Sequence, residues 1–404
     1  MDGQTAQLRM HLLLARALLC VAVGALYLST LLPGGFWLDT SEFIAGSHTL
    51  GIVHPPGHPL YVMLAKAIGL IIPFGDIAFR INLFSAIAGL GCALMVAEIV
   101  RIIAGLICEK LVAATWLGVA AGWFFATTSC AWMQSIRAEV YALNTLLLLL
   151  ALYLALQFWE HKSHRAAYAF AVTIGLALCN HHYIVFFFLP GPILMLLAMP
   201  DGRKLILSKR CLIACALVLV GLLSYAYLPI RAAADPVINW GDPTTLSRFF
   251  DVLTAKTFQG AVSAEARSAP IGANLGIAIG MMAEQISLFG LLAAATAFII
   301  LFRRSRALGI LLITIVVANW FTKAIMLIDP SNPDDYGYFL TGLAVLVIGM
   351  GVLPALFPHR TLIAGITVAL TIGGASMALA NFSQLDLRSE RSAETIIDVS
   401  LERQ

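Results

Sequence analysis

The chain has 404 residues, 60% of them hydrophobic and 12% charged, with a formal net charge of +3 at pH 7. A soluble globular domain holds roughly 45–50% apolar and about 25% charged residues, so this composition, with a mean hydropathy of +0.90, excludes that class and indicates an all-α polytopic membrane protein. The small basic surplus belongs to membrane topology: no basic run sits among exposed aromatics, and no nucleic-acid partner is expected.

A helix crossing the hydrocarbon needs about 20 mostly apolar residues. The first such run, 11–32, has Arg9 and Arg16 at its start and no small-residue cleavage site, so an uncleaved span is expected rather than a signal peptide. It is followed by the only long polar interruption in the first third of the sequence, WLDTSEFIAGSHTLGIVHPPGHP at 37–59. The apolar run 60–72 is too short to cross and is closed by Pro73, Gly75 and Asp76, so it reads as an interfacial or re-entrant helix of the same loop. Further spans are expected at 77–103, 111–130, 138–159, 166–180, 183–199, 211–230, 285–302, 307–327, 338–357 and 361–380. The total is about eleven.

These spans make one transmembrane domain over 1–380, with long loops at 33–76 and 231–284 and a polar tail at 381–404. Lys110, Lys162, Arg165, Arg203, Lys204, Lys209, Arg210, Arg303, Arg304, Arg306 and Arg360 fall in loops on one side, which the positive-inside rule assigns to the interior. The seven cysteines lie in or beside apolar runs without a C-x-x-C pair and read as structural thiols. Their lack of disulfide-like pairing leans toward a bacterial inner membrane, with the opposite side facing the periplasm.

That opposite side collects polar residues from distant parts of the sequence: Asp39, Glu42, His54 and His58; Arg137 and Glu139; Asn180, His181 and His182; Arg231 and Trp240; Asp334, Asp335 and Tyr336. Carboxylates, arginines and histidines at a lipid–water boundary suit group transfer from a lipid-linked phosphate donor. Phosphate is a good leaving group, so the chemistry needs a base for the acceptor hydroxyl and donors for the phosphate. Asp39 or Glu42 is the candidate base, and Arg137 and Arg231 are candidate phosphate clamps.

Each assignment has a plainer competitor. Asp39 could cap a helix starting near Thr40, and Glu42 could complement the same helix dipole. His54 and His58 have metal-ligand spacing on a helix, but Pro55 and Pro56 forbid a regular helix there, so a pocket-shaping turn is expected. Arg137 with Glu139 could be an interfacial ion pair, and Arg231 could snorkel. His181 and His182 could cap a helix end or contact the donor. Asp334 and Asp335 have turn chemistry but could also assist a divalent ion, the one cofactor for which the sequence leaves room. Trp240 could stack on a sugar or anchor at the interface.

The stretches LDTSEFIAGSHTLGIVHPPGHPLY, IPFGDIAFRINLFSAI, IRAEVYALN, ALCNHHYIVFF, YLPIRAAADPVINWGDP and NPDDYGYF, in that order from about Trp37 to about Phe339, carry a resemblance. Together they resemble a family of GT-C-type membrane proteins related to protein O-mannosyltransferases, one that includes the animal enzyme acting on IPT domains of plexin-type receptors. The resemblance implies a GT-C-like bundle, a polyprenyl- or dolichyl-phosphate sugar donor, inversion at the sugar carbon, and Asp39 as the acid that follows the first span, with Glu42 as the second acid of its loop. It also implies a protein or glycan acceptor. Many members of that family continue into a large soluble C-terminal region, whereas this sequence is read as stopping soon after its last span, which limits what carries over about the acceptor. A transferase acting on a lipid or glycan, a lipid-linked-substrate transporter or flippase, and a non-catalytic scaffold are the competing classes.

Overall fold

A computed structural model describes residues 2–268, 270–357 and 359–391. Helix α1 (Asp2–Leu28) leads into the first long loop, which contains α2 (Thr40–Thr49) and α3 (Pro59–Ile71). Next come α4 (Ile77–Cys108), α5 (Leu111–Thr127), the short α6 (Ser129–Met133), α7 (Val140–His161), α8 (His164–Phe188) and α9 (Pro190–Ala198). Helices α10 (Gly202–Ile206), α11 (Lys209–Leu222) and α12 (Tyr227–Ala232) then lead to the second long loop, with α13 (Leu246–Leu253) and α14 (Lys256–Ser268). The chain closes with α15 (Ile271–Arg304), α16 (Arg306–Trp320), α17 (Pro333–Val352) and α18 (Arg360–Leu385).

Local chemistry marks many of these starts. Side chains of Asp76, Thr128, Ser163, Ser208, Thr245, Ser305 and Asn332 accept the N–H two or three residues on, satisfying a donor that the helix itself leaves open.

Among the described residues eight helices are long and apolar enough to cross a membrane, and three shorter apolar ones (Pro59–Ile71, Leu111–Thr127, Arg306–Trp320) accompany them, so this is an all-α polytopic membrane protein. The spans expected from sequence differ in two informative places. Helix α8 covers both 166–180 and part of 183–199, but its backbone leaves helical geometry at His181 (φ −153°, ψ 81°). Met195 and Leu196 then line the same cavity as His164 and Ala167, so the chain doubles back at His181. Helix α15 begins well before 285 and breaks at Ser287 (φ 63°, ψ 165°). Its first part runs across the end of the bundle: Asn274 donates to the carbonyls of Ala324 and Met326, and Gln285 accepts from the N–H of Cys130.

The centre of the bundle is α17, where 94% of the most apolar window of Pro333–Leu356 is buried, against 17% for Arg360–Leu385 at the periphery. Apolar side chains left open on α1, α15 and α18 are therefore the lipid-facing surface, which a membrane protein buries in acyl chains. Helices α8 and α11 cross at two glycines: a Cβ on Gly175 would stand 2.9 Å from the Cα of Gly221. Small residues allow such close approach where no hydrophobic force separates helix from lipid. The seven cysteines are free.

The two long loops are stitched together by backbone. Ile52 N–H donates to Ile238 O (2.7 Å) and Trp240 N–H to Ile52 O (3.1 Å), forming the isolated parallel bridge Ile52–Asn239. Arg231 Nε donates to Leu50 O (2.8 Å) and Nη2 to Thr49 O (3.3 Å), while Tyr227 Oη donates to Gly51 O. These bonds satisfy carbonyls at the C-terminus of α2 and fix that helix over the end of the bundle. Helix α18 runs to Leu385, and Leu387 N–H donates to Thr30 O, tying the start of the expected tail to the end of α1. Residues 392–404 of that tail lie outside the described residues.

Candidate active site

Asp39 sits immediately before α2 with right-handed helical angles (φ −81°, ψ −11°), and its side chain makes no cap hydrogen bond. The capping competitor is therefore not what this carboxylate does. Instead Asp39 Oδ2 lies 3.7 Å from Nε2 of His54, with 45% of the side chain exposed.

Glu42, one helical turn on, accepts the backbone N–H of His54 at Oε1 (2.8 Å) and its Nδ1 at Oε2 (2.6 Å). A carboxylate can only accept, so this contact places a proton on Nδ1 and turns Nε2 toward Asp39. His58, in left-handed geometry (φ 39°), presents Nδ1 to the Asn180 carbonyl, which again fixes the proton on Nδ1. That bond ties the first loop to the break in α8. At the break, His181 packs its ring against those of His58, Tyr141 and Tyr338, at 5.5, 5.8 and 5.4 Å.

Burial raises the Asp39 carboxyl above its ordinary range; His54 opposes the rise, and the Asp334 and Glu42 carboxylates add to it. For His54, burial disfavours the imidazolium, yet the Glu42 hydrogen bond and the Asp39 charge outweigh it and its pKa is raised. His58 goes the other way: burial and the neighbouring His54 and His181 hold it well below its usual value, as a neutral donor.

Beneath this triad lies a dry ionic network. Arg137 is fully buried; its Nη1 donates to Glu139 Oε1 (3.0 Å) and Thr40 Oγ1 (3.4 Å), and its Nη2 to Gln134 Oε1 (3.4 Å) and the Asp334 carboxylate. Thr40 Oγ1 also donates to Glu139 Oε1 (3.0 Å). The start of α2, the start of α7 and the start of α17 are thus joined through one guanidinium. Asp335 pairs with Lys323 and accepts the Asp329 N–H, and Lys323 lies over the Tyr338 ring. Tyr336 Oη donates to Glu284 (3.0 Å).

A cavity of about 520 Å³ opens above these groups, lined by Asp39, His54, His58, Glu139, His181, His182, Tyr141, Tyr338 and, from α14, Phe258 and Gln259. Asp39, His54 and His58 from one stretch and His181 and His182 from another are thereby brought into one place. Glu42 stands behind His54. Arg137, Asp334 and Asp335 support the floor, Arg231 braces α2, and the Trp240 ring packs 6.5 Å from Phe258. Asp39, Glu42 and His54 offer ligand atoms within 4.8 Å of one another, enough for a divalent ion. Such an ion would compete with the His54 bonds that already occupy both Glu42 oxygens.

Nδ1 of His181, Nδ1 of His182 and Oε2 of Glu139 are buried with no hydrogen-bond partner among the described residues. Buried polar atoms are rarely left so, and at a cavity their partner is an ordered water, an ion or a ligand. Sequence reasoning passed over Tyr141 and Tyr338 as cavity walls, although both lie inside polar motifs that stood out, and it had no signal for α14.

Residues 39–204 match the family model described as the N-terminal domain of TMEM260, a protein O-mannosyl-transferase. Over 234 residues the chain is 36% identical to the Mus musculus protein O-mannosyl-transferase TMEM260, a match covering 56% of this chain and 31% of that protein. It is 26% identical over 251 residues to the corresponding Dictyostelium discoideum protein, covering 57% and 29%. The match therefore spans about a third of the length of these relatives. The matched domain contains Asp39, Glu42, His54, His58, Arg137, Glu139, His181 and His182; Arg231, Trp240, Asp334, Asp335 and Tyr336 lie beyond it.

Proposed function

Because this chain belongs, through residues 39–204, to the TMEM260 family of protein O-mannosyl-transferases, we propose that it transfers mannose from a polyprenyl- or dolichyl-phosphate donor to a hydroxyl of a protein acceptor. The observation that carries the reading is Asp39: a partly exposed carboxylate with no capping duty, at a cavity that His181 and His182 also line.

In this mechanism the acceptor hydroxyl enters beside Asp39, and the donor's phosphate lies toward His181 and His182, whose ring N–H groups donate to its oxygens. The acceptor oxygen attacks the anomeric carbon from the face opposite the phosphate, and its proton passes to Asp39. The bond between the anomeric carbon and the phosphate oxygen breaks, and the electron pair leaves on the lipid phosphate. One displacement inverts the sugar carbon. His54, held by Glu42, steadies the Asp39 charge as it forms and discharges. Arg137 acts through Glu139 and Asp334, keeping the helix ends in register, and Arg231 closes the junction of the two loops. The polyprenyl chain lies between helices and enters from the bilayer, with the cavity on the outer side that the arginine and lysine distribution assigns.

Incubating the purified chain with lipid-phosphate mannose and candidate acceptor polypeptides tests the proposal, with mass spectrometry reading mannosylated serine or threonine. Mannose found only on a lipid or glycan would replace the acceptor class. Donor translocated across proteoliposomes with no new glycosidic bond would replace the reaction.

A further inference from the structure

At the end of α8 away from the Asp39 cavity lies a second, unrelated void. Its rim residue His164 is separated from His181 by about 25 Å of helical rise, so the two cavities sit near opposite boundaries of the membrane. The void, about 180 Å³, is a wedge between α8, α9 and α11, closed by the ends of α7 and α10. Its wall is apolar, with Phe158, Met195 and Ala214 among its residues, and its polar lining includes His164, Ser208 and Arg210.

The surrounding sequence is strongly one-sided. From 160 to 210 it carries Lys162, Arg165, Arg203, Lys204, Lys209 and Arg210 against two acids, Glu160 and Asp201. Those acids lie against His161 and Lys204, whereas Arg165, Arg203, Lys209 and Arg210 project outward. Leu207 and Leu212, 87% and 71% exposed, adjoin the lining residues Ser208 and Cys211 and turn apolar surface outward beside the wedge.

Voids larger than a water molecule are few in close-packed proteins, and an apolar one does not hold water but accepts apolar ligands. A lipid tail fits the wall and an acidic headgroup fits the rim. We propose that this wedge is a binding site for an anionic phospholipid, one acyl chain lying between α8 and α11 and the phosphate held by Arg210 and Lys209. Juxtamembrane lysines and arginines attract acidic headgroups in this manner, and pockets between membrane helices add the selectivity that a flat basic surface lacks. The site stands apart from the transfer reaction and holds whether or not that reading does.

The test uses the full chain, purified and stripped of lipid in detergent, titrated with phosphatidylglycerol and with phosphatidylcholine of the same acyl chains. Native mass spectrometry counts bound lipid and thermal melting reports stabilisation. Phosphatidylglycerol should bind with a preference that the double substitution Lys209→Gln, Arg210→Gln weakens roughly thirty-fold, as two headgroup cations are lost. Ala214→Leu, which fills the wedge and leaves the rim charges in place, should lower retention of phosphatidylglycerol several-fold. Equal binding of the two lipids by the unmodified chain overturns the proposal. So does phosphatidylglycerol binding that Ala214→Leu leaves unchanged, which would reveal surface charge alone, or displacement of the lipid by inorganic phosphate.

Discussion

Replacing Asp39 by Asn separates the catalytic reading of the first loop from every structural one. The substitution preserves volume and removes a carboxylate whose ion-pair partner among the described residues is His54, at 3.7 Å, with nearly half the side chain exposed. A half-buried pair at this distance, involving one histidine, contributes about 1 kcal/mol, and no cap is lost because the Asp39 side chain makes no cap hydrogen bond. The melting temperature should therefore move by no more than a few degrees. Loss of a general base costs about 10²–10⁴ in rate, equivalent to roughly 3–5 kcal/mol of transition-state stabilisation at 1.36 kcal/mol per decade. Mannosyl transfer to an acceptor peptide, measured at saturating donor, should thus fall at least a hundredfold while donor still stabilises the protein in the same thermal assay. Turnover within tenfold of the unmodified chain would remove Asp39 from the role of base. A collapse in stability would show that the carboxylate serves the fold after all.

Asp39 must be ionised to accept a proton and its pKa is raised, so the acidic limb of kcat/KM should lie above the usual carboxylate value of about 4 and activity should fall as pH drops through it. His54 is raised by Glu42 and Asp39, so its contribution to stability is complete below about pH 6.5 and disappears as pH rises through its folded value. In Glu42→Gln the melting temperature should accordingly drop more at pH 6 than at pH 9, and a uniform drop would refute the assignment. Arg137→Met leaves Glu139 and Asp334 buried without their cation and should cost about 3–5 kcal/mol, visible as lost expression or a strongly lowered melting point. Gly221→Val drives side-chain atoms into Gly175 and should cost about 1–3 kcal/mol, read by thermal unfolding; an unchanged melting point would mean that the two helices separate freely there.

Composition alone determined that the chain is a bundle of membrane helices, because lipid leaves no partner for backbone polar groups except the helix itself. Sequence also picked out the 37–59 stretch, since carboxylates and histidines between apolar runs are too costly to keep beside lipid without use. It located the reversal at Asn180–His182 and the return of the chain into the bundle near 285, where polar residues interrupt the apolar run and the backbone leaves helical geometry at His181 and Ser287.

What each side chain does was decided only by tertiary contacts. Arg137 reads like an exposed anchor until α17 brings Asp334 against it. Arg231 reads like a free cation until α2 presents its last carbonyls. Glu42 reads like a second acid until His54, twelve residues later, takes both of its oxygens. A charge announces itself in sequence by type, but its partner arrives from a distant segment, and the partner fixes whether that charge stabilises the fold or remains free for chemistry.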